Sequence, residues 1–209
     1  MDPDSIAIEP LAEDRWGDVE ALFNQGGDPK TCWCVYWRLR GKDWSLSSSG
    51  TNRQHLREFV ERGPAPGLLA YRDGIPVGWV SLGPRESFAR LEASRIRPRL
   101  DEVPVWSIVC FVVARTERRQ GLARRLLQAA VDYARDHGAP AVEAYPVDSG
   151  GAKVASGTAY TGLLSTFEAA GFRVVHEIDS PGATVRRVIV RRDLRRAARG
   201  GGRARGGGR

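Results

Sequence analysis

The sequence predicts a single mixed α/β domain with a mostly antiparallel sheet built around a central β–α–β unit. Three observations carry this. VWSIVCFVV, from Val105, is a nearly continuous run of β-branched and aromatic residues, as expected of a strand buried on both faces. After it come apolar residues at helical spacing (Leu122, Leu126, Ala130 and Tyr133) and then a second strand-like run, APAVEAYPV, which completes the unit. Hairpin signals lie on either side: GLLAYRDGIPVGWVSLG turns at Asp73-Gly74, and FRVVHEID and TVRRVIVRR flank SPGA.

The remaining elements follow from local pattern. SIAIEPL alternates as a first strand, and EDRWGDVEALFN places Trp16, Val19 and Phe23 at helical spacing before the breaker cluster QGGDPK. A short aromatic segment, TCWCVYWRLRG, and a Ser-rich loop lead into TNRQHLREFVERG. That helix has Thr51 as candidate N-cap, Leu56, Phe59 and Val60 as its apolar stripe, and Gly63 as its stop. PRESFARLEASRIRPRLDEVP reads as a long polar connection. The helix after the central strand ends near His137-Gly138. GTAYTGLLSTFEAAGF reads as one further helix, with Tyr160, Leu163, Leu164 and Phe167 on one side and Gly171 as its stop.

Composition narrows the function class. The chain has 209 residues, 42% hydrophobic and 27% charged, with no apolar run long enough to span a membrane. Its start is acidic and lacks the basic flank and apolar centre of a signal peptide, so a cytoplasmic location is expected. The net charge of +7 suggests a nucleic-acid partner until it is located. From Arg191 onward there are eight arginines and one acid, Asp193, which accounts for the whole surplus; residues 1–190 are neutral. The expected division is therefore a domain over 1–190, and a last strand end with a disordered Arg/Gly tail over 191–209. That tail offers at most weak, charge-driven contact with nucleic acid. Cys32 and Cys34 are too close in sequence for an easy disulfide, and no second Cys/His pair stands at zinc-site spacing, so neither metal nor disulfide framework is expected. Oligomeric state is left open, with a homodimer among the possibilities.

The chemistry concentrates in RTERRQGLARRLL, residues 115–127, with five arginines. A helix start directly after a buried strand exposes unpaired N–H groups at a positive dipole end, a ready anion site. Neither the Walker A spelling nor G-x-G-x-x-G occurs; the pattern is Arg118-x-x-Gly121-x-Ala123. Leu122, Leu126 and Ala130 turn one helix face inward, which leaves too narrow a free face for reading a DNA groove.

On these residues the chain resembles the GCN5-related N-acetyltransferases (GNAT), whose acyl-CoA motif is Q/R-x-x-G-x-G/A at a strand-to-helix turn. CFVVARTERRQGLARRLLQAA matches the family's strand, loop and helix without gaps, and AYTGLLSTFEAAGF stands where the family's last helix ends in Gly-Phe. The likeness covers roughly residues 5–193, and the CWCVYWR segment is similar to that of a bacterial subset of the family. It implies a single-domain GNAT-like fold and an acetyl-CoA-dependent N-acetyltransferase. The implied reaction is direct attack by a primary amine of a small molecule or peptide within a ternary complex.

The resemblance further implies which residues act. Backbone amides over Arg118, Arg119, Gln120, Gly121, Leu122, Ala123 and Arg124 would cradle the pyrophosphate, with Gly121 and Ala123 keeping the approach open. Arg118, Arg119 and Arg124 would add charge-assisted bonds. Phe111, Val112 and Val113 would run along the pantetheine arm, with a backbone N–H among them polarising the thioester carbonyl. Two positions depart from better-known members: Ser107 stands where some place a glutamate, and Phe167 where many place a proton-donating tyrosine. Tyr160, seven residues before Phe167 and two helical turns away on the same face, is the substitute acid. Glu143 is the candidate base or amine-binding charge, with Glu92 and Asp148 as weaker alternatives. Trp33, Tyr36 and Arg38 would wall the acceptor groove. Because Ser107 and Phe167 replace expected catalytic groups, a non-catalytic acyl-CoA sensor is the alternative reading.

Overall fold

The computed structural model describes residues 5–155, 157–179 and 184–194. The expected SPGA turn, residues 180–183, and the tail beyond 194 lie outside them. Eight strands form one sheet: β1 (Ile6–Pro10), β2 (Gly67–Arg72), β3 (Ile75–Pro84), β4 (Trp106–Val113), β5 (Ala141–Ala144), β6 (Val147–Asp148), β7 (Arg173–Ile178) and β8 (Arg186–Asp193). Every neighbour pairs antiparallel except β4 with β5, the parallel pair of the predicted β–α–β unit. The Asp73-Gly74 turn closes β2 on β3 with both residues at positive φ, 50° and 77°, the backbone twist that tight hairpins favour.

Four helices longer than a single turn occur among the described residues: α1 (Trp16–Phe23), α2 (Ser49–Glu61), α3 (Leu122–Asp136) and α4 (Leu164–Ala169). Helix α3 buries Leu122, Leu126, Leu127, Ala130, Val131 and Ala134, the face the sequence spacing marks as inward. Helix α1 contributes Val19, Leu22 and Phe23, and Phe23 meets Trp79 of β3 edge-on at 5.7 Å between ring centroids. No helix among the described residues is long and apolar enough to cross a membrane.

Three local expectations are corrected. Thr51 is not the N-cap of α2. Ser48 is, in extended backbone, accepting from the Thr51 N–H while the Thr51 hydroxyl accepts from the Ser48 N–H. The long polar connection expected over 84–104 carries a short helical turn, Ala89–Glu92, that buries Leu91. The single helix expected over 157–171 is split. Ala159–Thr161 forms a separate 3-10 turn and α4 begins only at Leu164. Gly162 separates them at φ 90°, held by the Val147 N–H donating to its carbonyl at 3.0 Å. Tyr160 and Phe167 are therefore not two turns apart on one helix face.

Strands β5 and β6 lie along the same edge of β8 in one unbroken register, from Ala141 opposite Asp193 to Asp148 opposite Arg186. The predicted strand APAVEAYPV is thus recovered with an interruption at Tyr145-Pro146. Strand β8 continues through Asp193, so Arg191 and Arg192 belong to the sheet.

Candidate active site

Strand β4 parts from β5 halfway along its length. The parallel pairing covers only Trp106 with Val142, Ser107 with Glu143 and Ile108 with Ala144. On the other side, Ser81 of β3 pairs with Cys110 and Leu82 with Ile108, leaving Val109 as a bulge at the point of divergence. Beyond Ile108, the β5-facing edge of β4 has no strand partner among the described residues. The expectation that the whole strand is buried on both faces is corrected accordingly. Trp106 to Cys110 are buried, whereas Phe111, Val112 and Val113 are half-buried.

The opening leads to the basic turn. Arg115–Glu117 makes a 3-10 turn, tied to β2 by Arg72 Nε donating to Glu117 Oε2 at 2.9 Å, and Arg119 and Gly121 then take left-handed backbone at φ 64° and 79°. Gly121 is the N-cap of α3, and its carbonyl accepts from the Arg124 and Arg125 N–H groups. Helix geometry leaves the first-turn N–H groups without intrahelical acceptors. A Cβ built on Gly121 would meet nothing within 4 Å, so the turn borders open space at this position. Arg119, Gln120 and Arg124 are exposed, as is Arg118, whose Nε donates to the Val113 carbonyl at 3.2 Å; Leu122 is buried and Ala123 half-buried. The exposed arginines and the first-turn N–H groups together make the turn electropositive.

Two candidate catalytic residues fall in a buried polar network rather than at an open surface. Ser107 is fully buried, and its Oγ lies 3.0 Å from the Tyr145 hydroxyl. Arg85, 1% exposed, donates to that hydroxyl at 2.9 Å and to Glu92 at 2.7 Å, and lies 3.5 Å from Glu143. Glu143 is 1% exposed and also accepts from Arg191 at 2.6 and 3.0 Å, its cross-strand partner on β8. Arg191 in turn forks onto Asp101 at 2.5 and 3.1 Å. A carboxylate this buried and held by two guanidiniums has no free face for an amine. Its position corrects the expectation that Glu143 reaches an acceptor. Glu92 lies at the rim of this network and Asp148, paired with Arg186, at the far end of β6.

Tyr160 is half-buried and sits apart, in the electrostatic neighbourhood of Cys110, Arg187, Tyr36 and Arg97. Burial pushes its hydroxyl pKa up, so the phenol stays protonated at neutral pH. Phe167, where an acid would be expected, is fully buried and packs edge-on against Phe111 at 6.1 Å. Sequence reasoning missed Arg97 and Arg187 beside Tyr160. Arg187 donates to Thr161 Oγ1 and the Thr158 carbonyl at 3.2 Å, and burial lowers the Arg97 pKa.

The aromatic segment divides likewise. Trp33 is 3% exposed, stacks on Trp16 at 6.2 Å and donates to Ser49 Oγ at 3.1 Å, which makes it core rather than groove wall. Arg38 is also buried. Its guanidinium donates to Ser87 Oγ at 3.0 Å and to the Pro66 and Leu82 carbonyls at 3.2 and 2.9 Å, and burial pulls its pKa down to about 10. With those donors used inside the protein, Arg38 has little to offer an acceptor's carboxylate. Tyr36 stays half-buried between Trp37, Trp44 and the Arg90 guanidinium, 4.2 Å from its ring.

Residues 30–154 match the profile of the Acetyltransferase (GNAT) family. The chain belongs to the GNAT acetyltransferase family. It is an acyltransferase, and its fold agrees with solved members at low sequence identity. A GCN5-related N-acetyltransferase from Kribbella flavida aligns at 17% identity over 92% of this chain and 99% of that one, with a TM-score of 0.54. The acetyltransferase yncA from Salmonella typhimurium, solved with its cofactor acetyl-CoA, aligns at 15% identity over 93% and 97%, with a TM-score of 0.55. The ribosomal-protein-alanine N-acetyltransferase from Brucella melitensis aligns at 19% identity over 90% and 99%, with a TM-score of 0.52. No curated protein sequence matches this chain.

Proposed function

We propose that this GNAT acetyltransferase moves the acetyl group of acetyl-CoA to a primary amine of a small molecule or peptide, by direct attack in a ternary complex. The observation that carries the reading is the continuity of two features: the unpartnered edge of β4 beyond Ile108 runs directly into the turn that borders open space at Gly121. In this reading the turn 118–124 holds the pyrophosphate, assisted by Arg118, Arg119 and Arg124. The edge of Phe111–Val113 pairs with the pantetheine arm and directs a backbone N–H at the thioester oxygen, where negative charge develops as the amine adds.

Tyr160 supplies the proton that the departing thiolate takes up. A phenol whose pKa burial has raised remains a donor at neutral pH, and the 3-10 turn that carries it lies against β4. Glu143 and Ser107 act through structure: with Tyr145, Arg85 and Arg191 they fix the last paired residues of β4 and β5, and so the angle at which the strands part. An alkylamine is mostly protonated at neutral pH, so the acceptor sheds its proton to solvent or a bound water before attack. Tyr36, half-buried beside Tyr160, is the acceptor-side residue of the aromatic segment. A peptide amine is compatible with the Brucella melitensis neighbour, named for ribosomal-protein alanine.

The test is release of free CoA thiol when the protein is mixed with acetyl-CoA and a panel of amines, alongside calorimetric titration with CoA. Binding together with amine-dependent release supports the enzyme. The sensor reading draws on Phe167, a ring with no proton to give, and it prevails if CoA binds while no amine is turned over.

A further inference from the structure

Three cysteines that acetyl transfer does not use lie on the aromatic segment, Cys32 and Cys34, and on β4, Cys110. The Cys34 and Cys110 sulfurs are 3.4 Å apart, both buried, from positions 76 residues apart in the chain. Cys34 is held there by two successive left-handed residues, Trp33 at φ 47° and Cys34 at φ 51°, a backbone cost that only a fixed placement of the loop sustains. Cys32 is half-buried. It lines a hollow of about 290 Å³ together with Ser45, Ser48, Ser49 and Asn52. Asn52 is 3% exposed, and its Oδ1 has no hydrogen-bond partner among the described residues, an acceptor left open in the wall of a hydroxyl-lined hollow.

We propose that Cys32, Cys34 and Cys110 form a thiol relay which hydrogen peroxide entering the Ser/Asn hollow oxidises to a Cys34–Cys110 disulfide. The Cys32 thiolate attacks one peroxide oxygen, the O–O bond breaks, and the products are a Cys32 sulfenic acid and, after one proton is taken up, water. Cys34 then attacks the Cys32 sulfur. The S–O bond breaks and the Cys34 proton leaves with the hydroxide as a second water, giving a Cys32–Cys34 disulfide. Cys110 attacks Cys34, the S–S bond breaks, and Cys32 recovers its proton from Cys110. Two thiols lose two electrons in total, and the peroxide is reduced to two waters.

The order of steps follows from the surroundings. Cys32 is the thiol that reaches a cavity, and the hydrogen bond from the Cys34 side chain lowers its pKa against the opposing effects of burial and Asp28. Cys34 carries the proton in that contact, its own pKa raised by its hydrogen bonds to Cys110 and Cys32 and by burial. A Cys-x-Cys disulfide is strained by its spacing, which drives exchange forward to the longer-range pair. The two sulfurs of that pair need to close from 3.4 Å to about 2.05 Å. Its product ties the aromatic segment to β4 one residue before Phe111.

Full-length protein treated with one equivalent of hydrogen peroxide, alkylated and digested without reduction tests the relay by mass spectrometry. The expected main product is a peptide pair linked through Cys34 and Cys110, with Cys32 alkylated. Cys32→Ser slows that link at least about tenfold, and Cys110→Ala stops the reaction at Cys32–Cys34. The proposal is overturned if wild-type Cys110 remains alkylated as a free thiol while Cys32 is oxidised. It is also overturned if the Cys34–Cys110 link forms at the wild-type rate without Cys32.

Discussion

Gly121 and Tyr160, both assigned to the proposed site, show how differently residues are written in a sequence. Gly121 was legible because its signal is a backbone one: a glycine at fixed spacing from Arg118 and Ala123, directly after a buried strand. The structure gives it φ 79° and open space on its Cβ side. Tyr160 was singled out through an assumed continuous helix, and that assumption fails at Gly162, which has φ 90° and a carbonyl that accepts from the Val147 N–H. A glycine within an apolar helical pattern does not by itself reveal such a partner. The proposed role survives on other grounds, its half-burial and raised pKa beside Cys110. Tyr160→Phe is expected to lower turnover at least about tenfold while leaving CoA affinity unchanged, the mark of a proton donor. An unaltered kcat in a steady-state assay assigns the ring to packing alone.

Among the elements, α3 and the hairpin β2–β3 were readable from periodicity and turn chemistry, since both depend on contacts close in sequence. The network of Ser107, Tyr145, Arg85, Glu143, Arg191 and Asp101 was not, because it assembles residues from distant segments and no spacing rule connects them. Cap assignment at α2 lay between: Ser48 and Thr51 are both good cap residues, and only the reciprocal hydrogen bonds distinguish them. Ser48→Ala removes the side chain that accepts the Thr51 N–H. It is expected to cost about 1 kcal/mol of stability, measured as a lower urea midpoint at constant m-value. No loss would mean that the Thr51 side of the box suffices.

For the whole molecule, stability is expected to depend on carboxylates held by arginines. The hydrogen bond from Arg191 lowers the Asp101 pKa. Burial pushes the Glu92 carboxyl up, but hydrogen bonds from Arg99 and Arg85 more than reverse it. Carboxylates with depressed folded-state pKa values contribute stability that is complete above the unfolded value, near 4, and is lost as pH falls through the folded value. The Tm is therefore expected to stay level from about pH 7 to 5 and to fall below about pH 4, with thermal melts across that range as the check. A Tm that is flat down to pH 3 would contradict this account.

At the same scale, the global arrangement places the half of β4 that has parted from β5 and the turn at Gly121 end to end, and the proposed activity depends on that continuity. Calorimetric titration of CoA into wild-type protein and Gly121→Trp tests it most directly, with a thermal melt to verify that both are folded. The account predicts saturable binding by the wild type and none by the folded variant, because the indole fills the open space that the turn borders. Equal affinity in the two proteins would contradict it.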